Sequence, residues 1–257
     1  MHAHFERHTY HRHSHESYSF GVTDAGAQAF WCRGAAHTSA LGMVMAFNPD
    51  DPHDGHASGP EGFTYRMIHI GPELIRDILT DIGGSPAGLP LFADPVVSDP
   101  VLAAELRALH SALVTRAPGL RRDELLTSVV AVLARRAASR SPRLEPGVPA
   151  GAAAIASLAR QFIRERYASE ITVSDLATAV GRSRYAIHRA FKTAYGIAPS
   201  DYQRQLRMAQ ARRLIACGTP ISEAAAETGF ADQSHLTRWF TRYYGITPGT
   251  YRRASSL

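Results

Sequence analysis

Between His13 and about Ile70, apolar residues come in short runs, SYSFGV, QAFWCR, GMVMAFN and TYRMIHI, separated by the turn-forming clusters DAG, NPDDP and SGPEG. Runs of this length bounded by Gly, Pro, Asn and Asp predict the strands of an all-β sheet or small barrel. From Val101 to Ala138 the period becomes helical. Leu102, Leu106, Leu109 and Leu113 form one stripe, and Leu125, Val129, Val132 and Leu133 a second, on two helices joined across APGL. Ser139 to Gly151, SRSPRLEPGVPAG, combines prolines, glycines and charge with no apolar period, which reads as a linker. The pattern predicts an α+β protein of two domains: a β-barrel with helices over 1–138, a linker over 139–151, and an all-α domain over 152–257.

Each helix of the last part carries its own punctuation. The first runs from about Ala153 to Tyr167, with Ile155, Leu158, Ala159 and Phe162 inward. Thr172 opens T-V-S-D, a capping-box-like start with Asp175 in place of the usual Glu, and the short helix it begins stops at Gly181. Ser183 suits the cap of the next helix, which Gly196 ends, and Pro199 suits the first turn of a long helix ending near Gly218. The order then recurs. Pro220 starts a short helix ending at Gly229, Asp232 caps one ending at Gly245, and Pro248 starts a final short one.

The recurrence is also literal. Shifted by 49 positions, SRYAIHRAFKTAYGIAPSDYQR falls on DQSHLTRWFTRYYGITPGTYRR, pairing Arg189 with Arg238, Phe191 with Phe240, Tyr195 with Tyr244, Gly196 with Gly245, Ile197 with Ile246, Pro199 with Pro248 and Tyr202 with Tyr251. A short helix, a glycine turn and a second helix, twice over, predict two helix-turn-helix units. In the first, Ile187, Ala190, Phe191 and Ala194 share one face and are expected to be buried, leaving Tyr185, His188 and Arg189 outward. In the second, Leu236, Phe240 and Tyr243 are expected inward and Ser234, Thr237 and Arg238 outward, with Gln233 and His235 at the edges and the bulky Trp239 beside the outward face. Arg can be bidentate to guanine, Gln to adenine, and hydroxyls bond several bases, so these faces suit the major groove, while Arg184, Lys192 and Arg242 suit phosphates. The helix between the units, Pro199 to Ala216, spans about 27 Å at 1.5 Å per residue, enough to set two reading helices in successive major grooves about 34 Å apart.

Charge agrees with this division. Residues 1–150 hold 13 Arg, no Lys and 16 acidic residues, a net of −3, whereas 151–257 hold 15 basic against 7 acidic residues, a net of +8. Basicity concentrated in the helical part suits a polyanionic partner there. A length of 257 residues with 45% hydrophobic and 20% charged residues is ordinary for a soluble protein, and no stretch reaches the ~18 apolar residues of a membrane span. Two separate cysteines, Cys32 and Cys217, and a start lacking the basic-then-apolar order of a secretion signal lead to a cytoplasmic expectation with no membrane partner.

ISEAAAETGFADQSHLTRWFTRYYGITPGTYRR resembles the C-terminal signature of AraC/XylS regulators, and ITVSDLATAVGRSRYAIHRAFKTAYGIAPSDYQR resembles their first unit, together covering about residues 153–253. The resemblance implies sequence-specific binding to double-stranded DNA, with base contacts at Tyr185, His188, Arg189, Gln233, Ser234, Thr237 and Arg238. H-x-H-E near the start and the stretch from Gly42 to His53 resemble the cupin-like barrel that precedes such units in the family. That barrel implies a small-molecule effector. The helices after it imply a homodimer, and an activator would also meet RNA polymerase.

Ten of the 13 histidines lie before Ile70. His13 and His15, two apart on a strand, share a face, and His53 follows a second strand's turn. With Glu16 or Asp54 nearby they could ligate a metal as in cupin enzymes; alternatively they hydrogen-bond an effector or backbone, so no cofactor is assigned. Glu16 alternates away from His15, which weighs against a complete ligand set. Phe20, Trp31, Phe47 and Tyr65 are the aromatic candidates for the effector pocket, each of them equally suited to plain core. No nucleophile motif, P-loop or dinucleotide fingerprint favours an enzyme. Two alternatives remain: a metal-dependent cupin enzyme fused to a DNA-binding tail, and a constitutive DNA-binding protein whose barrel only holds a dimer.

Overall fold

A computed structural model of the chain describes residues 1–6, 9–142 and 151–255, which form two compact units. The first holds Met1–Ala117 and the chain from Glu124 up to the undescribed segment; the second holds Pro118–Asp123 and residues 151–255.

In the first unit β1 (His2–Phe5), β2 (Tyr10–His13), β3 (Tyr18–Cys32), β4 (Ala35–Ala40), β5 (Val44–Phe47), β6 (His53–Ala57), β7 (Phe63–Ile70) and β8 (Val96–Val97) pair antiparallel throughout. One sheet runs β1-β7-β3-β5-β8 and the other joins β2, β6, β3 and β4, so β3 serves both. The DAG cluster, expected as a turn between two strands, is a bulge inside this one 15-residue strand. Thr23 opposes Tyr65 and Ala25 opposes Thr64, which leaves Asp24 as the extra residue. Its carboxylate accepts hydrogen bonds from Arg66 and Arg107. Gly26 follows at φ +65°, where a Cβ would lie 2.1 Å from the Gly62 carbonyl oxygen, so the bend requires glycine.

The bulge reverses which residues of β3 face inward. Before it, Gly21 meets Met45 and Met67, and Thr23 bonds Ser39 at 2.8 Å; after it, Gln28, Phe30 and Cys32 take the inner side. The enclosed core is Phe30, Cys32, Met45, Phe47, Phe63 and Tyr65, contributed by both sheets.

Three helices complete the unit where two were expected. The unexpected one is α1 (Pro72–Gly83), which starts on proline, buries Ile75, Ile78, Leu79 and Ile82, and stops at left-handed Gly84. Asp99 caps α2 (Pro100–Val114) by accepting from the backbone N–H of Val101 and Leu102. α2 buries Leu102, Leu106 and Leu109 as expected, but Leu113 is exposed, its place taken by His110 and Ala112. Leu125, Val129, Val132 and Leu133 of α3 (Gly119–Arg136) are all buried. Of the expected linker, Ser139 and Arg140 bond to Leu91 of the first unit, and residues 143–150 lie outside the described residues.

The second unit contains α4 (Ala152–Arg166), α5 (Val173–Val180), α6 (Arg184–Tyr195), α7 (Pro199–Ala216), α8 (Ile221–Glu227), α9 (Gln233–Tyr244) and α10 (Pro248–Ser255). It has two cores. Ile155, Ala156, Ala159, Ile163, Leu176, Ile187 and Phe191 build one; Met208, Ala211, Ile215, Ala224, Leu236 and Phe240 build the other, and α7 contributes to both. In α4 the inward row is Ile155, Ala159 and Ile163, so Leu158, expected inside, is exposed and Phe162 only partly buried.

Candidate nucleic-acid interface and effector site

Side-chain caps open three of the four helices of the two units, α8 alone starting behind Pro220 without one. Thr172 and Asp175 form a reciprocal capping box at α5, Ser183 accepts from the Ala186 N–H at α6, and Asp232 accepts from the His235 N–H at α9. α6 and α9 each have 12 residues and end at left-handed glycines, Gly196 and Gly245. They turn equivalent rows inward at i, i+4 and i+8: Ile187, Phe191 and the partly buried Tyr195 in one, Leu236, Phe240 and the partly buried Tyr244 in the other. Ala194 and Tyr243, equivalent positions expected inward, are therefore both exposed, because the contact row follows the four-residue step.

The same tilt turns His188 inward. It was expected on the open face, but its Nδ1 is buried with no hydrogen-bond partner among the described residues. Burial, reinforced by Lys192 and Arg121 and opposed by Asp201, pulls its pKa down to about 4, so the ring is neutral near pH 7. Tyr185 and Arg189 stay half-buried on the outer face, with the Arg189 guanidinium 5.4 Å from the Tyr185 ring centre, and Arg184 and Lys192 are exposed.

On α9, Gln233, Ser234, Arg238 and Arg242 are exposed and Thr237 is half-buried. The His235 ring is engaged internally: its Nε2 accepts from Trp239 Nε1–H at 3.0 Å, and it packs against Phe230. Burial, with Arg238 adding to it, lowers its pKa. Trp239 is covered by the guanidinium groups of Arg204 at 4.0 Å and Arg242 at 5.4 Å.

Between the units, the buried Arg207 of α7 donates to three backbone carbonyls: Tyr167 (2.7 Å), Ser169 (2.8 Å) and Gly229 (2.6 Å). Gln203 adds 3.0 Å bonds to the first two. One side chain thus ties the turn before α5 to the turn before α9. The sequence had not singled out Arg207, because α7 is polar around most of its circumference and nothing local marks a buried arginine. At Gly229 (φ +77°) a Cβ would lie 2.0 Å from the Ala168 carbonyl oxygen.

In the first unit, β2 pairs with β6 so that His13 stands directly opposite His53. The His15 carbonyl accepts from the Asp50 N–H at 2.7 Å, bringing the next side chain of that face to the same place. One ring nitrogen from each of His13, His15 and His53 lies within 4.8 Å of the others. His13 Nδ1 donates to the His11 carbonyl (2.7 Å) and His53 Nδ1 to the Asp51 carbonyl (2.9 Å); since a carbonyl only accepts, both Nδ1 atoms carry the proton. Phe47 stacks on His53 at 4.1 Å. His69, not anticipated, packs 4.7 Å from His15 and bonds Ser19 Oγ. An open cleft of about 540 Å³ lies beside His15, between the Ser14–Ser17 segment and His69, Gly71 and Pro72. Asp54 is committed elsewhere, accepting from the Trp31 N–H.

Of the aromatic candidates, Phe47 and Tyr65 are in the enclosed core, and the Tyr65 hydroxyl meets that of Tyr10 at 3.0 Å. Phe20 lies before the bulge on the other face of the sheet, against Tyr18 and Phe92. Trp31 lies after the bulge and is 47% exposed, with Phe30 inside in its place.

The family model for the AraC-like ligand binding domain matches residues 1–130, and a helix-turn-helix domain matches 176–254. The chain is 30% identical to the uncharacterized HTH-type transcriptional regulator YbfI of Bacillus subtilis over 87% of its own length and 80% of the relative's. It is 32% identical to the lactose operon transcription activator of Staphylococcus xylosus, covering 37% of this chain and 35% of that one. Among solved structures, an AraC-type regulator from Chromobacterium violaceum aligns at 26% identity and TM-score 0.39, over 42% of this chain and 98% of that one. Among the described residues no helix is long and apolar enough to cross a membrane. With an AraC-like ligand-binding domain followed by paired helix-turn-helix units, the chain belongs to the AraC-type DNA-binding transcription regulators and is not an enzyme.

Proposed function

We propose that the protein reads two short DNA boxes on one face of the double helix, through α6 and α9, under control of a small molecule bound in its N-terminal domain. The observation carrying this reading is the repetition of one geometry: two 12-residue helices, each capped, each stopped by a glycine and each burying the equivalent row. Arg189 and Tyr185 in the first unit, and Gln233, Ser234, Thr237 and Arg238 in the second, carry the base contacts; Arg184, Lys192 and Arg242 carry phosphate contacts. His188 and His235 support the helices from within. The effector binds at the cleft beside His15 and His69 and shifts the protein between arrangements of different DNA affinity. The protein acts in the cytoplasm as a homodimer, favoured by the exposed Val101, Leu113 and Val114 of α2, and it meets RNA polymerase if it activates.

Selection of bound sequences from a random DNA library, at near-physiological salt with competitor present, tests this. The expected result is enrichment of two boxes about one helical turn apart. Enrichment of a single box would remove the two-helix reading. Failure of both the full chain and segment 151–257 to enrich any sequence would remove sequence-specific recognition by these helices.

A further inference from the structure

We propose that His13, His15 and His53 form a binding site for one divalent late transition-metal ion, of the zinc, cobalt or nickel class, in the N-terminal domain. Three arguments support it. The strand register sets His13 opposite His53, and the Asp50–His15 backbone bond brings the third ring to the same end of the domain, so the cluster is built by the fold. Two of the rings are also held in the ligand tautomer. Nδ1–H of His13 and of His53 is bound to a backbone carbonyl, which leaves each Nε2 with its lone pair, the outer-shell arrangement that orients metal-binding imidazoles. Finally, the distances are close to those of coordination. Metal–nitrogen bonds of about 2.0–2.1 Å in tetrahedral geometry separate ligand nitrogens by about 3.4 Å. One nitrogen of each ring lies within 4.8 Å of one on each of the other two, so the three rings need only small side-chain rotations to converge on one ion.

The donor set selects the class of ion. Imidazoles without a carboxylate suit zinc, cobalt, nickel and copper rather than magnesium or calcium. Three protein ligands leave a fourth position for water, and His15, shared with the cleft, puts that position near any molecule bound there. Phe47, stacked on the buried His53, stiffens the innermost ligand.

The inference stands apart from the DNA-binding and effector readings, since it can be tested with neither present. The full chain is stripped with a chelator, desalted and titrated with Co(II), and the visible ligand-field band of four-coordinate cobalt is recorded. One cobalt per chain, displaced by one Zn(II), is expected. His53→Ala and His13→Gln should each abolish the band and weaken zinc binding by about tenfold or more, because each removes one of three ligands. His4→Gln and His56→Gln, which alter exposed histidines outside the cluster, should leave both readouts unchanged. Should His53→Ala fail to fold, the more open His13→Gln decides alone, with circular dichroism confirming its fold. Absence of the band at stoichiometric cobalt, or a band that survives His13→Gln in folded protein, overturns the site.

Discussion

The two helix-turn-helix units show how a duplicated scaffold divides its labour. Where packing dictates, they agree residue for residue: Ile187, Phe191 and Tyr195 answer to Leu236, Phe240 and Tyr244, and Gly196 answers to Gly245. Where packing leaves freedom, they part. The reading face of α6 is crowded, with His188 drawn inward and Arg189 laid over Tyr185, while that of α9 offers Gln233, Ser234 and Arg238 to solvent. Their turns differ too, since Gly181 looks into open space and Gly229 is pressed against Ala168. Shared ancestry of shape therefore does not imply equal tolerance or equal contribution to recognition.

The largest expected difference lies in those turns. Gly229→Ala should destabilise the protein by about 3 kcal/mol or more, because backbone must move, whereas Gly181→Ala should cost about 1 kcal/mol from its left-handed φ alone. Chemical denaturation measures both, and equal losses would erase the distinction. Next come the reading faces. On the selected DNA site Arg238→Ala should cost about 2 to 3 kcal/mol and relax base choice, and Arg189→Ala about 1 kcal/mol, since its guanidinium is already partly engaged. Binding titrations against matched and single-substituted sites check this; an equal loss on random DNA would make both phosphate contacts.

The smallest effect is the share of the acid sensitivity that His188 of the first helix-turn-helix unit carries. His188 has a folded pKa of about 4, below its ordinary 6.5, so the unfolded chain takes up more protons between those values and stability falls as pH falls through that window. The loss should be about 1 kcal/mol on going from pH 7 to about pH 5.5. His188→Gln should flatten the slope of stability against pH relative to wild type, while the share carried by His235 of the second unit should persist. An unchanged slope in His188→Gln would show that other groups carry the acid sensitivity.

The helical unit was far more legible in the sequence than the sheet unit, for a physical reason. Helix signals are local: Thr172, Ser183, Asp232, Gly196 and Gly245 act within one turn of themselves, and each does in the fold what its position predicts. Errors on the helices were small rotations, such as Ala194 and Tyr243 in place of the four-step row. The facing of a strand instead depends on a register counted from elsewhere. A single extra residue, Asp24, reverses inside and outside, so that Phe20 before it and Trp31 after it both lie off the enclosed face, where an unbulged strand would have set one of them inward. The histidine cluster was visible as His13 and His15 two apart together with His53 after a second strand's turn. His69 was not, because only the pairing of β7 with β3 sets it beside Ser19. The helix α1 had been readable in PELIRDILTDIG, where the apolar spacing is regular.

The clasp made by Arg207 has a consequence for the DNA as much as for the protein. With its guanidinium spread over Tyr167, Ser169 and Gly229, Arg207 ties the turn before α5 to the turn before α9, and on the two-box reading proposed above this sets the phase between the two reading helices. For a protein that reads two boxes, spacing then becomes part of the message. One base pair inserted between the boxes swings one of them about 35° around the DNA axis. A clasped pair of heads must meet that swing by twisting the DNA or by releasing one box, so the empty interval between boxes is recognised without a single base in it being touched.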